Sequence, residues 1–383
     1  MPQRRSKMLS GGFFVLLVGV IVGGFLIGRA AQDAILESQA GSVSEFTLDP
    51  TAPGFRAFTE PTPTALVLHT AVVPPIGAEL VGVTLLTSAA EQAGGTVVTM
   101  PATLLDADGA GVALNELFAT EGLDAVTNEL RGALRIDFAD VVVLDATSWP
   151  TLMTADLPLQ ISLREDLTET SLDGESSDIV LAAGTRPFSL VDIAELAAHR
   201  NDGEPSLQIA LRHQQIWQSW ISRTAGADER PTLFEVGSGF VDLLNSLANA
   251  EVAYRVLPMR TVPNEDPTNT TYEPTDGQVN SLISSIVPFP EPASIGDRPT
   301  VLLLDTSFGE VPQGPAVTAI TEAGGLVSIL GNSEEGAERI TEVQVHDSTA
   351  TDVAVAISDA LGVDAPLDVP LDGATTAITV VLG

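Results

Sequence analysis

A chain of 383 residues with 51 acidic against 17 basic side chains has a formal net charge of −34. That excludes nucleic acid as a partner, since like-charged phosphates would be repelled. Cysteine is absent, which excludes disulfides, thiolate metal sites and a cysteine nucleophile. The length accommodates two domains, each with a core of useful size, and partners should be cationic, neutral or bridged by metal.

In chain order, Arg4, Arg5 and Lys7 precede Leu9–Gly28, a stretch of 20 uncharged and predominantly apolar residues. At about 1.5 Å per residue it matches a hydrocarbon core of roughly 30 Å and reads as a transmembrane helix. The flanking positive charges hold the N-terminus in the cytoplasm and send the body outside, so the expected location is the cell membrane, single-pass. A cleaved signal peptide is the competing reading, with Gly28-Arg29-Ala30 as a poor small-residue site; it exports the body as well. Residues 1–30 are therefore expected to form a cytoplasmic tip and membrane helix. Residues 31–63, small and polar with Pro50, Pro53, Pro61 and Pro63, read as a stalk.

From Thr64 the pattern changes. Leu66–His69, Leu80–Thr87, Gly95–Met100, Asp140–Leu144 and Leu157–Leu163 read as buried strands. Leu114–Phe118, Gly122–Gly132, Leu190–Arg200, Leu207–Arg223 and Phe240–Leu247 have helical spacing, and Val252–Leu257 is strand-like. Strands alternating with helices predict a layered α/β domain with a central mixed sheet over residues 64–263. Residues 264–299, rich in Pro, Asn and Thr at first and proline-rich at the end, read as a loop and linker. Beyond them a βαββαβ-like order over 300–383 predicts a small α/β sandwich.

These pieces resemble the LytR-CpsA-Psr family of envelope proteins, membrane-anchored enzymes that move glycopolymers from a polyprenyl-pyrophosphate lipid to peptidoglycan. The last unit is similar to the LytR C-terminal domain that often follows the catalytic domain in actinobacteria. Thr96-Val-Val-Thr-Met-Pro lies where the family strand ends in Ser-x-Pro-Arg-Asp; here Ala102 and Thr103 replace the Arg-Asp pair. Leu114-Asn115 and Phe118 follow the family's Ile-Asn-Ala-Ala-Tyr pattern, and Gly132 falls at its Thr-Gly. Ala183-Gly184 and Phe188 to Arg200 follow the segment that ends Tyr-x-Arg-x-Arg, with Arg200 kept and Ala198 at the preceding arginine. The next helix resembles Gly-Arg-x-x-Arg-Gln-Gln, with Arg212, His213 and Gln214 in the last three places and Ile209 at the first arginine. No single motif is intact; order and spacing across several carry the resemblance.

In the family, clustered arginines bind the pyrophosphate and carboxylates help to hold magnesium, neutralising charge on the leaving phosphate. The resemblance therefore implies substrate contacts at Arg200, Arg212, Gln214, Asn115 and Arg186, and magnesium if the chain is active; catalytic residues are not identified, and no metal ligand is assigned. Each residue also has a plainer reading. Arg200 can complement a helix C-terminus, Arg212 can pair with Glu204, and Asn115 can satisfy a turn. His213 reads as an exposed helix residue, and Glu79, the nearest acid where the family has Asp-Thr, as a solvated carboxylate. Elsewhere there is no glycine-rich phosphate loop, no His-x-x-x-His pair and no serine in a nucleophile elbow.

With three charged family positions lost, the first expectation is a catalytically degenerate, membrane-tethered pseudoenzyme. It would bind a wall glycopolymer, its polyprenyl-phosphate carrier or envelope proteins. The second is a working magnesium-dependent phosphotransferase whose charge is rebuilt from Arg200, Arg212 and Arg186. An unrelated surface binding module is a third.

Overall fold

The computed structural model describes residues 49, 52–73, 77–88, 94–106, 111–152, 158–170, 177–224, 238–262, 270–294, 296–307, 312–334, 338, 340–370 and 375–383. The expected membrane helix at Leu9–Gly28 lies outside these. Among the described residues no helix is long and apolar enough to cross a membrane.

Two long strands, β2 (Thr64–Val73) and β3 (Gly77–Ser88), form the centre of the first unit; β1 (Arg56–Phe58) precedes them. β4 (Gly95–Pro101), helices α1 (Leu114–Glu121) and α2 (Leu123–Leu134), β5 (Asp140–Leu144) and a short α3 (Ser148–Leu152) follow. Next come β6 (Leu159–Leu163), β7 (Leu167–Thr170), β8 (Ser177–Leu181) and β9 (Gly184–Phe188), then α4 (Leu190–Ala198), α5 (Ser206–Thr224), α6 (Ser238–Ala248) and β10 (Val252–Val256). The sheet has the order β10-β4-β3-β2-β5. Its outer pairs are parallel and its inner pairs antiparallel, so it is the mixed sheet expected.

Both faces of that sheet are covered, which is why its strands read as near-continuous apolar runs. Ala65 and Val67 point to a core built with Trp149, Trp217, Trp220 and Phe240 under α4, α5 and α6. Leu66 and Leu68 point to the opposite core under α1 and α2. The β2–β3 register slips between His69 and Thr70, leaving Val81 without a partner opposite, a bulge that re-aims side chains at the end of the sheet.

Two expectations need correction. The stretch 264–299 is not only loop and linker: β11 (Met259–Val262) pairs with β12 (Thr271–Pro274), and α7 (Asp276–Ile286) follows. Helix α7 buries Val279 and Ile283 in the second core. Val279, Leu282, Ile283 and Ile286 repeat at helical spacing, hidden between Pro274 and Pro288. The end of the expected stalk also folds, because β1 pairs antiparallel with the later strand Leu326–Asn332 of the last unit.

That last unit contains β13 (Thr300–Asp305), α8 (Gln313–Glu322), β14 (Leu326–Asn332), β15 (Glu342–Val345), α9 (Thr351–Leu361), β16 (Leu367–Asp368) and β17 (Ile378–Leu382). Its six-stranded sheet runs β1-β14-β13-β17-β15-β16 over a core shared with α8 and α9. Arg298 joins it to the first unit. This buried guanidinium donates to Arg135 O, at the end of α2, and to Thr321 O and Gly325 O, at the end of α8. Its charge thus sits on two helix C-termini, where a cation is favoured. Burial and the neighbouring Arg135 charge pull its pKa down to about 10.

Candidate functional site

The residues that carry the family resemblance meet where β4 ends, α4 ends and α5 begins. β4 stops at Pro101, and Ala102 and Thr103 turn inward, 2% and 7% exposed. Thr103 Oγ1 donates to Thr270 O at 2.7 Å, so the 2.6 Å contact with Ser206 is a bond from the Ser206 hydroxyl to Thr103 Oγ1. The Thr103 N–H returns a bond to Ser206 Oγ at 3.3 Å. A closed set of neutral hydrogen bonds therefore occupies the strand end.

Helix α4 is started by a capping box between Ser189 and Asp192 and ends at Ala198. Ala198 packs against Ala71, Val81 and Ile209 in a small apolar cluster of its own. The two positions where the family carries arginine thus touch one apolar patch, and the bulged residue Val81 fills it.

The two retained arginines have partners. Arg212, 5% exposed, forms an ion pair with the equally buried Glu204 and donates to His199 O at 2.6 Å and Leu196 O at 3.3 Å. Glu204 is itself held by the Asn201 N–H at 3.0 Å. Arg200, half exposed, bonds Glu79 at 3.1 Å. Asn115 stands beside the strand end, its N–H donating to Ala102 O at 2.9 Å. Gln214 faces away, its side chain donating to Arg255 O on β10 at 3.0 Å. Arg186 lies apart on β9 with its guanidinium 5.1 Å from the Phe188 ring, and its Nη2 is buried without a hydrogen-bond partner.

His213 corrects an expectation, being fully buried rather than exposed. Its Nε2 contacts Ala197 O at 2.8 Å, and a carbonyl only accepts, so Nε2 carries the proton. Nδ1 rests against Gly82, where an added Cβ would lie 2.7 Å away; only glycine leaves room for the ring. His213 stacks on His69, centroids 4.2 Å apart, and His69 stacks in turn on Trp149. Burial, reinforced by the Arg212 charge and opposed by the Ala197 carbonyl, brings the His213 pKa to about 4. Burial and then His213 hold His69 well below its ordinary value. The sequence signal for His69 was a lone imidazole closing an apolar strand.

Among the described residues, these donors do not make up a magnesium site. The strand end offers hydroxyls already bonded to each other, the Glu79 carboxylate is engaged by Arg200, and no group of three ligating side chains occurs among the described residues. Divalent magnesium is held through carboxylates.

No protein-family model matches the sequence, and neither does any curated protein. Among solved structures, TagV of B. subtilis is similar at 12% identity, over 60% of this chain and 96% of that one, with a TM-score of 0.46. TagT bound to LIIa-WTA is similar at 13% identity, over 65% and 96%, with a TM-score of 0.46. The LytR-CPS2A-psr family protein YwtF (TagT) with bound octaprenyl pyrophosphate lipid is similar at 13% identity, over 64% and 92%, with a TM-score of 0.44. Of these structural neighbours, YwtF (TagT) is named as a LytR-CPS2A-psr family protein, and the likeness is at low identity.

Proposed function

We propose that this chain is an exported envelope protein, tethered through Leu9–Gly28, in which a LytR-CpsA-Psr-type site has lost its transfer chemistry and serves binding. Its partners are a wall glycopolymer, the polyprenyl-phosphate carrier or other envelope proteins. The observation that carries this reading is the apolar cluster of Ala198, Ile209, Ala71 and Val81. Breaking a pyrophosphate bond requires fixed positive charge at the leaving phosphate. Here two lost cationic positions have become packing, and the lost Arg-Asp pair has become a neutral hydrogen-bonded seal. Arg212 is consumed by Glu204 and two carbonyls, which leaves no buried cation directed at a substrate on this face among the described residues.

The test is an in vitro transfer assay with the full chain, a polyprenyl-pyrophosphate-linked glycopolymer, magnesium and peptidoglycan. No transfer is expected. Magnesium-dependent transfer that disappears in Arg200→Ala would sink the reading in favour of an active phosphotransferase. That second reading has one observation on its side, the unpartnered buried Nη2 of Arg186.

A further inference from the structure

Helices α8 and α9 cover one face of the six-stranded sheet, where Val301, Leu303, Val327, Val343, Ile378 and Val380 form the core. What the other face presents is set by the strand pairing, because residues opposite one another in a ladder point to the same side. One outward row crosses all six strands through Phe58, Ile329, Leu302, Thr379, Gln344 and Leu367. The next row holds Arg56, Gly331, Leu304, Val381 and Glu342. At the two ends of the first row Phe58 and Leu367 are 81% and 50% exposed, and Leu302, Leu304, Ile329 and Val381 between them are part-exposed.

The polar groups of this face are already bonded. His346 Nδ1 meets Val369 O at 2.8 Å, and a carbonyl only accepts, so Nε2 accepts from the Thr379 hydroxyl at 2.8 Å. Gln344 donates to Glu342 at 2.5 Å, and Arg56 donates to Phe55 O and Asn332 O. Covering the face therefore removes apolar surface from water without orphaning these donors. Residues 300–383 hold 13 acids and one arginine, yet Glu342 is the one acid in the two rows. An anionic lipid surface would be repelled by the acids around the face.

The rows complement themselves. A two-fold axis that runs along the strands between β13 and β17 reverses the strand order and keeps each row in line. It lays β1 of one copy over β16 and β15 of the other. Phe58 then meets Leu367, the pair Leu302 and Leu304 meets Thr379 and Val381, and Arg56 meets Glu342. An isologous contact requires such self-complementarity, and sheets stack face to face in this aligned way. We propose that the open face of the last sheet is the contact between two copies of this chain. Its footprint is about 350 Å² per copy, from strands about 4.8 Å apart and two outward rows. A stable complex buries about 800 Å² per partner, so the pairing is transient. The inference goes beyond the function proposed above and is independent of whether that site transfers.

The experiment uses the full chain reconstituted in lipid vesicles. The sequence has no cysteine, so Phe58→Cys and Leu367→Cys each supply a single thiol. Within one chain these positions lie on opposite edge strands, roughly 24 Å apart, and a short thiol-to-thiol cross-linker can join them only between copies. A mixture of the two single variants should give a cross-linked dimer, and each variant alone almost none. Leu304→Asp, which sets two carboxylates close to the axis, should cut the yield of the mixture by about tenfold. Glu342→Arg, which turns a cation toward the partner's Arg56, should also lower it, and this part-exposed position tests the face even if Leu304→Asp unfolds the unit. No cross-link in the mixture, or equal cross-linking by either variant alone, would overturn the pairing. A yield that neither substitution alters would overturn the face. Glycopolymer transfer in the separate assay would sink the degenerate-site reading and leave this contact untouched.

Discussion

The two faces of α5 have opposite chemistry. Inward, Ile209, Arg212, His213, Trp217 and Trp220 are buried, and every charge among them is matched or suppressed. Outward, Gln215, Gln218 and Ser222 line an open groove beside β6. The inner face is core, and cores are judged by packing and satisfied polar groups. The outer face is under no such constraint. Stability should therefore respond to the inner face far more than to the outer one.

The largest expected effect is on the inner face. Arg212→Ala leaves the Glu204 carboxylate, only 6% exposed, without its partner, and breaking such a buried pair costs about 3–5 kcal/mol. Urea unfolding should show this, while Gln218→Ala on the outer face stays within about 0.5 kcal/mol of the parent. Similar values for the two would dissolve the comparison.

Acid should act on the same face. His213 holds a pKa of about 4 in the fold against an ordinary 6.5. Between those values the unfolded chain takes up a proton that the folded chain refuses. Stability is unaffected above about pH 7 and falls through the window from pH 6.5 to 4, by about 3 kcal/mol for this group. His69 shifts in the same direction and steepens the slope. Burial pushes Asp145 up, but bonds from Ser148 and Thr147 outweigh it and hold its pKa at about 2, so its contribution is lost only below about pH 4. Denaturant midpoints measured across this range should drop first in the histidine window. His213→Gln, which keeps a donor for Ala197 O, should flatten that first drop; an unchanged slope would remove the histidine pair as its cause.

Much of this arrangement was legible in the sequence and part of it was not. The alternation of strands and helices and the apolar stripe of α5 followed from spacing alone. The same spacing places His213 between Ile209, Ile216 and Trp217 on that stripe, but a titratable side chain argues for exposure unless a neighbour such as Gly82 opens room for the ring. Ala198 and Ile209 read as two separate losses. That they compensate each other through Ala71 and a bulged Val81 depends on strands far apart in sequence. β1 was invisible because three residues carry no periodicity, and its partner Ile329–Gly331 lies over 270 positions away.

The seal at the strand end should give a smaller effect. Thr103→Val removes the hydroxyl that accepts from Ser206 and donates to Thr270 O, leaving the buried Ser206 hydroxyl short of an acceptor and the half-buried Thr270 with one bond fewer, at a cost of about 1–2 kcal/mol. Ser206→Ala in the same background should add little, since the two hydroxyls act as one pair. Full additivity in a double-mutant cycle would show that the closed hydrogen-bond set is not a unit.

The smallest effect is expected at Arg200, and its size decides how the site can be probed. Its pair with Glu79 is 45% and 23% exposed, with one bond of 3.1 Å. Exposed pairs contribute about 0–1 kcal/mol because solvent screens them and two side chains are immobilised. Arg200→Ala should thus shift the unfolding midpoint barely and lose what little it contributes as salt rises. Arg212→Ala, by contrast, changes the fold's stability before it changes any ligand contact. A loss of anion binding in Arg200→Ala is therefore attributable to the ligand, whereas the same loss in Arg212→Ala is not. If Arg200→Ala instead destabilises the chain by as much as Arg212→Ala, the Glu79 pair belongs with the inner-face core, and the division between a packed face and an open one moves outward to include it.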